Sequence, residues 1–190
     1  MTDEIMENDY PDGFFNAGDI LAYRELAGKV PFKGNIMEIG VYKGRSLCSI
    51  AHICRSKMIR VMAVDSFRGD KIGQLVIDKP GALYRECVQN LSKAGLMFDI
   101  ISDHSTRIVH VFHDEAFDLI FIDASHDEES VAEDIKLYLP KVKIGGYIAG
   151  HDYKTPDGSQ GEMSVKKAVD ANLPGAQLMT GSVWAYRRDK

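Results

Sequence analysis

"MEIGVYKGRS", Met37–Ser46, passes from an apolar run through a glycine turn into a polar helix start, and that order decides the fold. Glu38 and Gly40 stand at the end of the apolar run, and Gly44 opens the helix. Glycine lets backbone pass close to a ligand without an intervening side chain. The helix N-terminus behind it offers unpaired N–H groups and a partial positive charge to a carboxylate or phosphate. Ser46 adds a hydroxyl donor there. Asp65 follows Gly40 by 25 residues, near the spacing of a ribose-binding acid in nucleotide folds. A carboxylate at that point can accept hydrogen bonds from two adjacent ribose hydroxyls. The pattern Glu-x-Gly-x-x-x-Gly-x-Ser departs from the three-glycine dinucleotide fingerprint and suits a ligand with no pyrophosphate. Any doubly wound domain can also carry such a turn for structural reasons alone.

Outward from this turn, apolar runs alternate with amphipathic segments. Residues 35–41, 59–66, 97–102, 117–124 and 145–152 read as strands. Residues 44–56, 82–95, 105–114 and 127–142 read as helices by their apolar spacing, and a further helix is expected within 14–30. Gly95 ends one helix and Pro140 closes another. Strands apolar throughout and separated by helices predict a parallel sheet covered on both faces, an α/β doubly wound fold. The tail, "AQLMTGSVWAYRRDK", predicts two strands around a Thr-Gly-Ser turn, an edge hairpin. The reading is one domain over residues 1–190, with a helical cap segment over 1–34 and the sheet core over 35–190. Residues 67–81 and 153–163 are long Gly- and charge-rich connections after strand C-termini, and are expected to act as lids or substrate walls, or else as surface insertions.

The 190 residues suffice for one full core. A formal charge of -5 argues against a nucleic-acid backbone as the main partner. No apolar run reaches the ~18 residues of a membrane span. The acidic start, "MTDEIMENDY", lacks a secretory pattern. Cys48, Cys54 and Cys87 lack zinc-type spacing and read as free thiols in a reducing compartment, so a cytoplasmic protein is expected.

Two strands end alike. "FDLIFIDASHDEES" delivers Asp123 and His126, and "GGYIAGHDYK" delivers His151 and Asp152. Side by side, such ends lie about 5 Å apart. Asp123 and Asp152 can then share one cation, with His151 as a third ligand. Carboxylates and waters suit magnesium, whereas imidazole favours manganese, iron or zinc. His126, three residues beyond Asp123, suits a general base at neutral pH. Methyl transfer without a metal, with His126 as base, and a purely structural cluster are the alternatives. Asp127, Glu128 and Glu129 read as the first turn of a helix. His52, His110 and His113 read as surface or satisfied helix residues.

"MEIGVYKGRS", "VDSF" and "FIDASH" resemble the class I S-adenosylmethionine-dependent methyltransferases, and among them the small metal-dependent O-methyltransferases. "EIGVYKGRS" is similar to the first motif of catechol- and caffeoyl-type enzymes. "DASHDEESVAEDIKLYLPKVKIGGYIAGHDY" looks more like the macrolide-sugar and aminocoumarin relatives. The resemblance covers about residues 35–170. It implies a Rossmann-like seven-stranded sheet, mostly parallel, with an antiparallel C-terminal strand. It implies that Gly40 and Gly44, with Glu38, shape the methionine pocket and that Ser46 binds the methionine carboxylate. Asp65 would hold the ribose, with Ser66 and Phe67 beside it. Asp103 would approach the adenine amino group with His104 alongside, and Asp123 would also contact the cofactor's amino group. A divalent metal, Mg or Mn, would be held by Asp123, His151 and Asp152. His151 departs from the acid common at its position. The longer N-terminal cap of many relatives is missing, so part of the pocket is expected from residues 1–18 or from another subunit of a homo-oligomer.

The expected function is methylation of a small-molecule hydroxyl, on a sugar or a phenol. A nicotinamide-dependent oxidoreductase is a rival, weakened by the missing third glycine and the lack of a Tyr-x-x-x-Lys pair. A non-catalytic nucleoside- or S-adenosylmethionine-binding module is another, and it would have no need of His126.

Overall fold

The computed structural model describes residues 10–69, 79–153 and 160–190. Its elements are α1 (Ala17–Lys29), β1 (Asn35–Ile39), α2 (Arg45–Ser49), α3 (Ala51–Lys57), β2 (Arg60–Val64), α4 (Pro80–Lys93) and β3 (Met97–Ile101). They continue with α5 (Ser105–Ile108), β4 (Phe117–Ile122), α6 (Glu128–Tyr138), β5 (Val142–Gly150), α7 (Gln160–Asn172), β6 (Gln177–Leu178) and β7 (Trp184–Arg187). One seven-stranded sheet has the order β3-β2-β1-β4-β5-β7-β6. β1 to β5 are mutually parallel, and β7 runs antiparallel to both β5 and β6. The predicted α/β sheet with an antiparallel last strand is present. The tail hairpin differs in one respect: β7 lies inside the sheet, and only β6 forms the edge.

The alternation of side chains along each strand builds two apolar layers. Ile36, Leu119 and Phe121 face the layer covered by α1, α2, α3 and α4. Met37, Ile39, Ile120 and Ile122 face the layer with α6 and α7. Both faces are buried, which is why the strands read as unbroken apolar runs. Gly150 lets Trp184 lie against β5, since a Cβ there would stand 2.6 Å from the indole.

Several boundaries moved. The helix expected over 44–56 breaks at Ile50 into α2 and α3. The one expected over 105–114 is a single turn, α5, followed by a 3-10 turn at 109–111. α7 was not anticipated, because the loop reading ran into its start; Val165, Ala168 and Val169 are its buried stripe, continued by Leu173 just past its end. The lid expectation for 67–81 falls largely on residues 70–78, and that for 153–163 on 154–159, both outside the described residues. Among the described residues, no helix is long and apolar enough to cross a membrane.

β1 has β2 on one side and β4 on the other, so the chain winds away from it in both directions. A crevice opens at the C-terminal ends of the strands at such a point.

Candidate active site

A cavity of about 460 Å³ occupies this crevice. Its walls come from the residues following β1, β2, β3, β4 and β5: Gly40 to Tyr42, Asp65 to Phe67, Asp103 and His104, Asp123 to His126, and His151 with Asp152. Gly13, Phe14 and Phe15 close one side. The expected contribution of residues 1–18 is therefore supplied within the chain by these three, while residues 1–9 lie outside the described part.

Gly40 has φ +87°, and a Cβ there would stand 2.0 Å from the carbonyl oxygen of Asp123. The turn needs glycine because the end of β4 presses against it. Asp65 holds the same turn: Oδ2 accepts from the N–H groups of Val41 and Tyr42 at 2.8 Å each, and Oδ1 from Phe67 at 2.6 Å. Its carboxylate is thus already committed to backbone, with lone-pair capacity left for a ligand. Tyr42 and Phe67, whose N–H groups Asp65 accepts, and Asp152 all carry positive φ (49°, 53° and 56°). Such backbone persists only where surrounding structure over-determines it, and here it rings the cavity.

Two of the expected cofactor contacts, Glu38 and Gly44, lie outside the cavity lining, and Ser46 lies in it. Glu38 shares a strand face with Ile36, so it points under α1 and α2 and is fully buried away from the cavity. Its Oε1 accepts from the Ser46 hydroxyl at 2.5 Å. Ser46 reaches the cavity wall, but its hydroxyl is spent on Glu38. Burial pushes the Glu38 carboxyl up to about 8, against the pull of that hydrogen bond. Gly44 faces α4, where a Cβ would stand 2.8 Å from Leu91. Asp103 and His104 do line the cavity. The Asp103 carboxylate accepts from the His104 N–H at 2.7 Å and lies 3.6 Å from Arg107.

The strand-end cluster is assembled. His126 Nε2 lies 2.9 Å from Asp152 Oδ2. Potential ligand atoms of Asp123, His126 and Asp152 all lie within 4.8 Å of one another. His151 sits one layer deeper, its side chain 7% exposed, with Nδ1 at 3.6 Å from Asp123 and 3.4 Å from Asp152. So His126 as well as the expected His151 stands against the two carboxylates. The hydrogen bond to Asp152 raises the His126 pKa, opposed by burial. Burial would lower that of His151, but Asp123, Asp152 and Asp19 together hold it well above the ordinary value. Asp152 is held below the carboxylate range by the two imidazoles, which outweigh its burial. His126 does not cap α6. Asp127 is the cap, its side chain accepting from Ser130 N at 2.9 Å, with Glu128 and Glu129 in the first turn as expected.

Sequence reasoning missed Asp19, which contacts His151 from α1; the strap of residues 10–15 lies within the 1–18 segment expected to supply part of the pocket. Arg45 holds that strap by donating to the carbonyls of Phe15 at 2.7 Å and Pro11 at 2.9 Å. Phe14, 79% exposed, rests 6.1 Å from Tyr42 between ring centroids. The signal available was two adjacent aromatics, Phe14 and Phe15, just before a helix cap.

A family model described as a methyltransferase domain matches residues 37–153. That span contains all five strand ends that wall the cavity. No curated protein sequence matches the chain. Among solved structures, the O-methyltransferase NovP is 15% identical, with 97% of this chain and 86% of that one covered at a TM-score of 0.70. The O-methyltransferase TomG from Streptomyces achromogenes, solved in complex with SAM, is 15% identical over 96% and 85%, at 0.63. An rRNA methylase from Streptococcus thermophilus is 14% identical over 94% and 100%, at 0.64. At such identities the likeness is one of fold, and hydride transfer loses its place as a rival on the strength of the family match. With the glycine turn after β1, Asp65 at the end of β2 and the strand order in place, the chain belongs to the methyltransferase-domain family.

Proposed function

We propose that this methyltransferase moves the methyl group of S-adenosylmethionine to a hydroxyl of a small molecule, with His126 as the general base. The observation that carries the reading is the His126–Asp152 pair, 2.9 Å apart at the cavity wall. A binding module would have no use for a basic imidazole so placed. The cavity volume falls in the usual small-ligand range of about 300–1,000 Å³. The charge of -5 supports a small acceptor over RNA.

Asp65, Ser66 and Phe67 would receive the ribose, Asp103 and His104 the adenine, and the Gly40 turn the methionine end. Asp152 Oδ2 orients the His126 ring through Nε2, which leaves Nδ1 to take the acceptor's proton. The freed oxygen forms the new bond to carbon as the carbon–sulfur bond breaks, and its electron pair returns to sulfur. Asp123 and Asp152 are hard-oxygen donors at one place and suit a divalent cation. Such a cation would supply charge that favours the deprotonated hydroxyl and would fix its orientation.

The test is a screen of sugar and phenol hydroxyl acceptors scored by formation of S-adenosylhomocysteine, run with and without exhaustive chelation. Turnover that chelation abolishes supports the cation, and full turnover after chelation supports the metal-free form. Methylation of RNA alone would overturn the small-molecule assignment.

A further inference from the structure

Phe14 is a large apolar side chain left 79% exposed on a wall of the cavity, while its neighbour Phe15 is buried. The strap around it is pinned on both sides. Arg45 donates to the carbonyls of Pro11 at 2.9 Å and Phe15 at 2.7 Å. Its guanidinium also lies 5.9 Å from the centre of the Tyr10 ring, and Arg24 donates to the Tyr10 hydroxyl at 2.6 Å. Beyond Phe14, the Phe15 ring packs at 5.1 Å from His151, 5.8 Å from Phe121 and 6.0 Å from Tyr23. A ring presented on backbone already fixed in this way loses little freedom when a ligand meets it.

The strap meets one half of the cavity only. Phe14 stands against Tyr42, which follows β1, and Phe15 against Phe121 of β4 and His151 after β5. The ends of β2 and β3, with Asp65 and Asp103, lie on the other half, where the ribose and adenine are placed above. Phe14 therefore sits on the side of His126 and Asp152. The rings of Phe14 and Tyr42 are 6.1 Å apart and tilted by 33°. At that spacing they form an aromatic pair with no room for a third ring between them, so together they offer one apolar face.

Charge narrows what lies on that face. Among the described residues, the cavity is lined by six carboxylates, Asp65, Asp103, Asp123, Glu133, Asp134 and Asp152, against one arginine, Arg45. Protonation of His104, His126 and His151 would leave the carboxylates in excess, and a divalent cation between Asp123 and Asp152 would leave four against Arg45. A cleft walled by one sign of charge attracts the opposite sign and rejects its own. Resting on the methyl-transfer reading above, we infer that Phe14, extended by Tyr42, is the platform on which the acceptor lies, and that the acceptor is a phenol carrying no anionic group. The flat face of an aromatic ring covers more apolar area on Phe14 than a polyhydroxylated sugar ring does. Sugars carried on a phosphate are rejected by the walls. Phe14 is thus a specificity-determining residue that touches the acceptor and takes no part in the proton transfer.

The experiment is equilibrium binding of four probes to the full chain saturated with S-adenosylhomocysteine, read by NMR titration: tyramine, 4-hydroxybenzyl alcohol, 4-hydroxyphenylacetate and methyl glucoside. The cationic and neutral phenols should bind at least ~10-fold more tightly than the anionic phenol and the sugar. The disadvantage of the anion should shrink as salt is raised. Phe14→Ala should weaken both favoured phenols by ~10-fold, and Phe14→Trp should restore them, with S-adenosylmethionine affinity unchanged by calorimetry in both variants. Equal binding of the anionic phenol, no binding of any probe, or unaltered phenol binding in Phe14→Ala each overturns the inference. So does a Phe14→Ala protein that loses S-adenosylmethionine, since Phe14 would then cover the cofactor. The two readings fail separately. Protein that binds phenols through Phe14 but methylates no acceptor loses methyl transfer and keeps the platform; protein that methylates a phosphate-linked sugar keeps methyl transfer and loses this inference.

Discussion

Asp152 divides its carboxylate between two imidazoles, Oδ2 toward His126 and Oδ1 toward His151. The charge so placed raises the basicity of His126 despite its burial. The rate should therefore rise with pH through a value above the ordinary ~6.5 of imidazole. His126→Ala should cut turnover by ~100-fold or more and abolish that limb, with cofactor affinity unchanged. Rate against pH for both proteins is the measurement, and an intact limb in the variant would assign the proton to another group. Asp65 carries a double load, because its oxygens accept three backbone N–H groups of the two turns it joins. Asp65→Ala should weaken S-adenosylmethionine by ~2 kcal/mol and also lower the melting temperature, since those donors lose a charged partner. Calorimetry showing unchanged affinity alongside a lowered melting point would make Asp65 a turn-holding residue with no part in ribose binding.

Elements differ in how much freedom their glycines have. Gly40→Ala drives a Cβ into the Asp123 carbonyl from a left-handed backbone, so it should destabilise by several kcal/mol and abolish cofactor binding. Gly28, exposed near the end of α1, has nothing within 4 Å of an added Cβ. Gly28→Ala should stabilise by ~0.5–1 kcal/mol. Thermal melts of the pair check both signs. This contrast also marks what the sequence could reveal. The five parallel strands were legible because both their faces are buried, and the read strands ran past Ile39, Val64 and Ile122 because the site residues continue each run. β5 was read as starting at Gly145 instead of Val142, since Gly145 (φ +83°) bends the strand and the register with β4 shifts there. α7 was obscured by Pro156, Gly158 and Gly161 before its apolar stripe. Glu38 was misplaced because a motif reports position along a strand, whereas burial depends on which face the residue takes. Asp19 left no local signal at all, because α1 meets β5 only in the folded chain.

At the scale of the whole molecule, the two ends of the chain meet at one buried charge. Asp19 joins the capping box of α1 to the turn before β7, and both bear on His151 at the end of β5. Stability should therefore carry the signature of these groups across pH. Asp19 and Asp152 have lowered pKa values, so their contribution is complete above the ordinary 3.8 and is lost as pH falls through their folded values. Glu38 and His151 are raised, so theirs is complete below 4.5 and 6.5 respectively and is lost as pH rises through the folded values. All four stabilise fully only between pH 3.8 and 4.5. The protein should accordingly be more stable to denaturant at pH 5 than at pH 8.5, against the common preference for neutrality. Glu38, with a folded value of about 8, should account for roughly 4 kcal/mol of the fall. Glu38→Gln keeps an acceptor for Ser46 and cannot ionise, so its stability should decline much less between pH 5 and 8. The single tryptophan, Trp184, is buried in the layer opposite Glu38, and its fluorescence reports the transition independently of far-UV circular dichroism. Coincident transitions with the two probes are expected, because both layers share one sheet. A wild-type curve that is flat from pH 5 to 8.5 would mean that Glu38 is ionised in the folded protein, and that the Gly40–Ser46 turn is built over a buried charge.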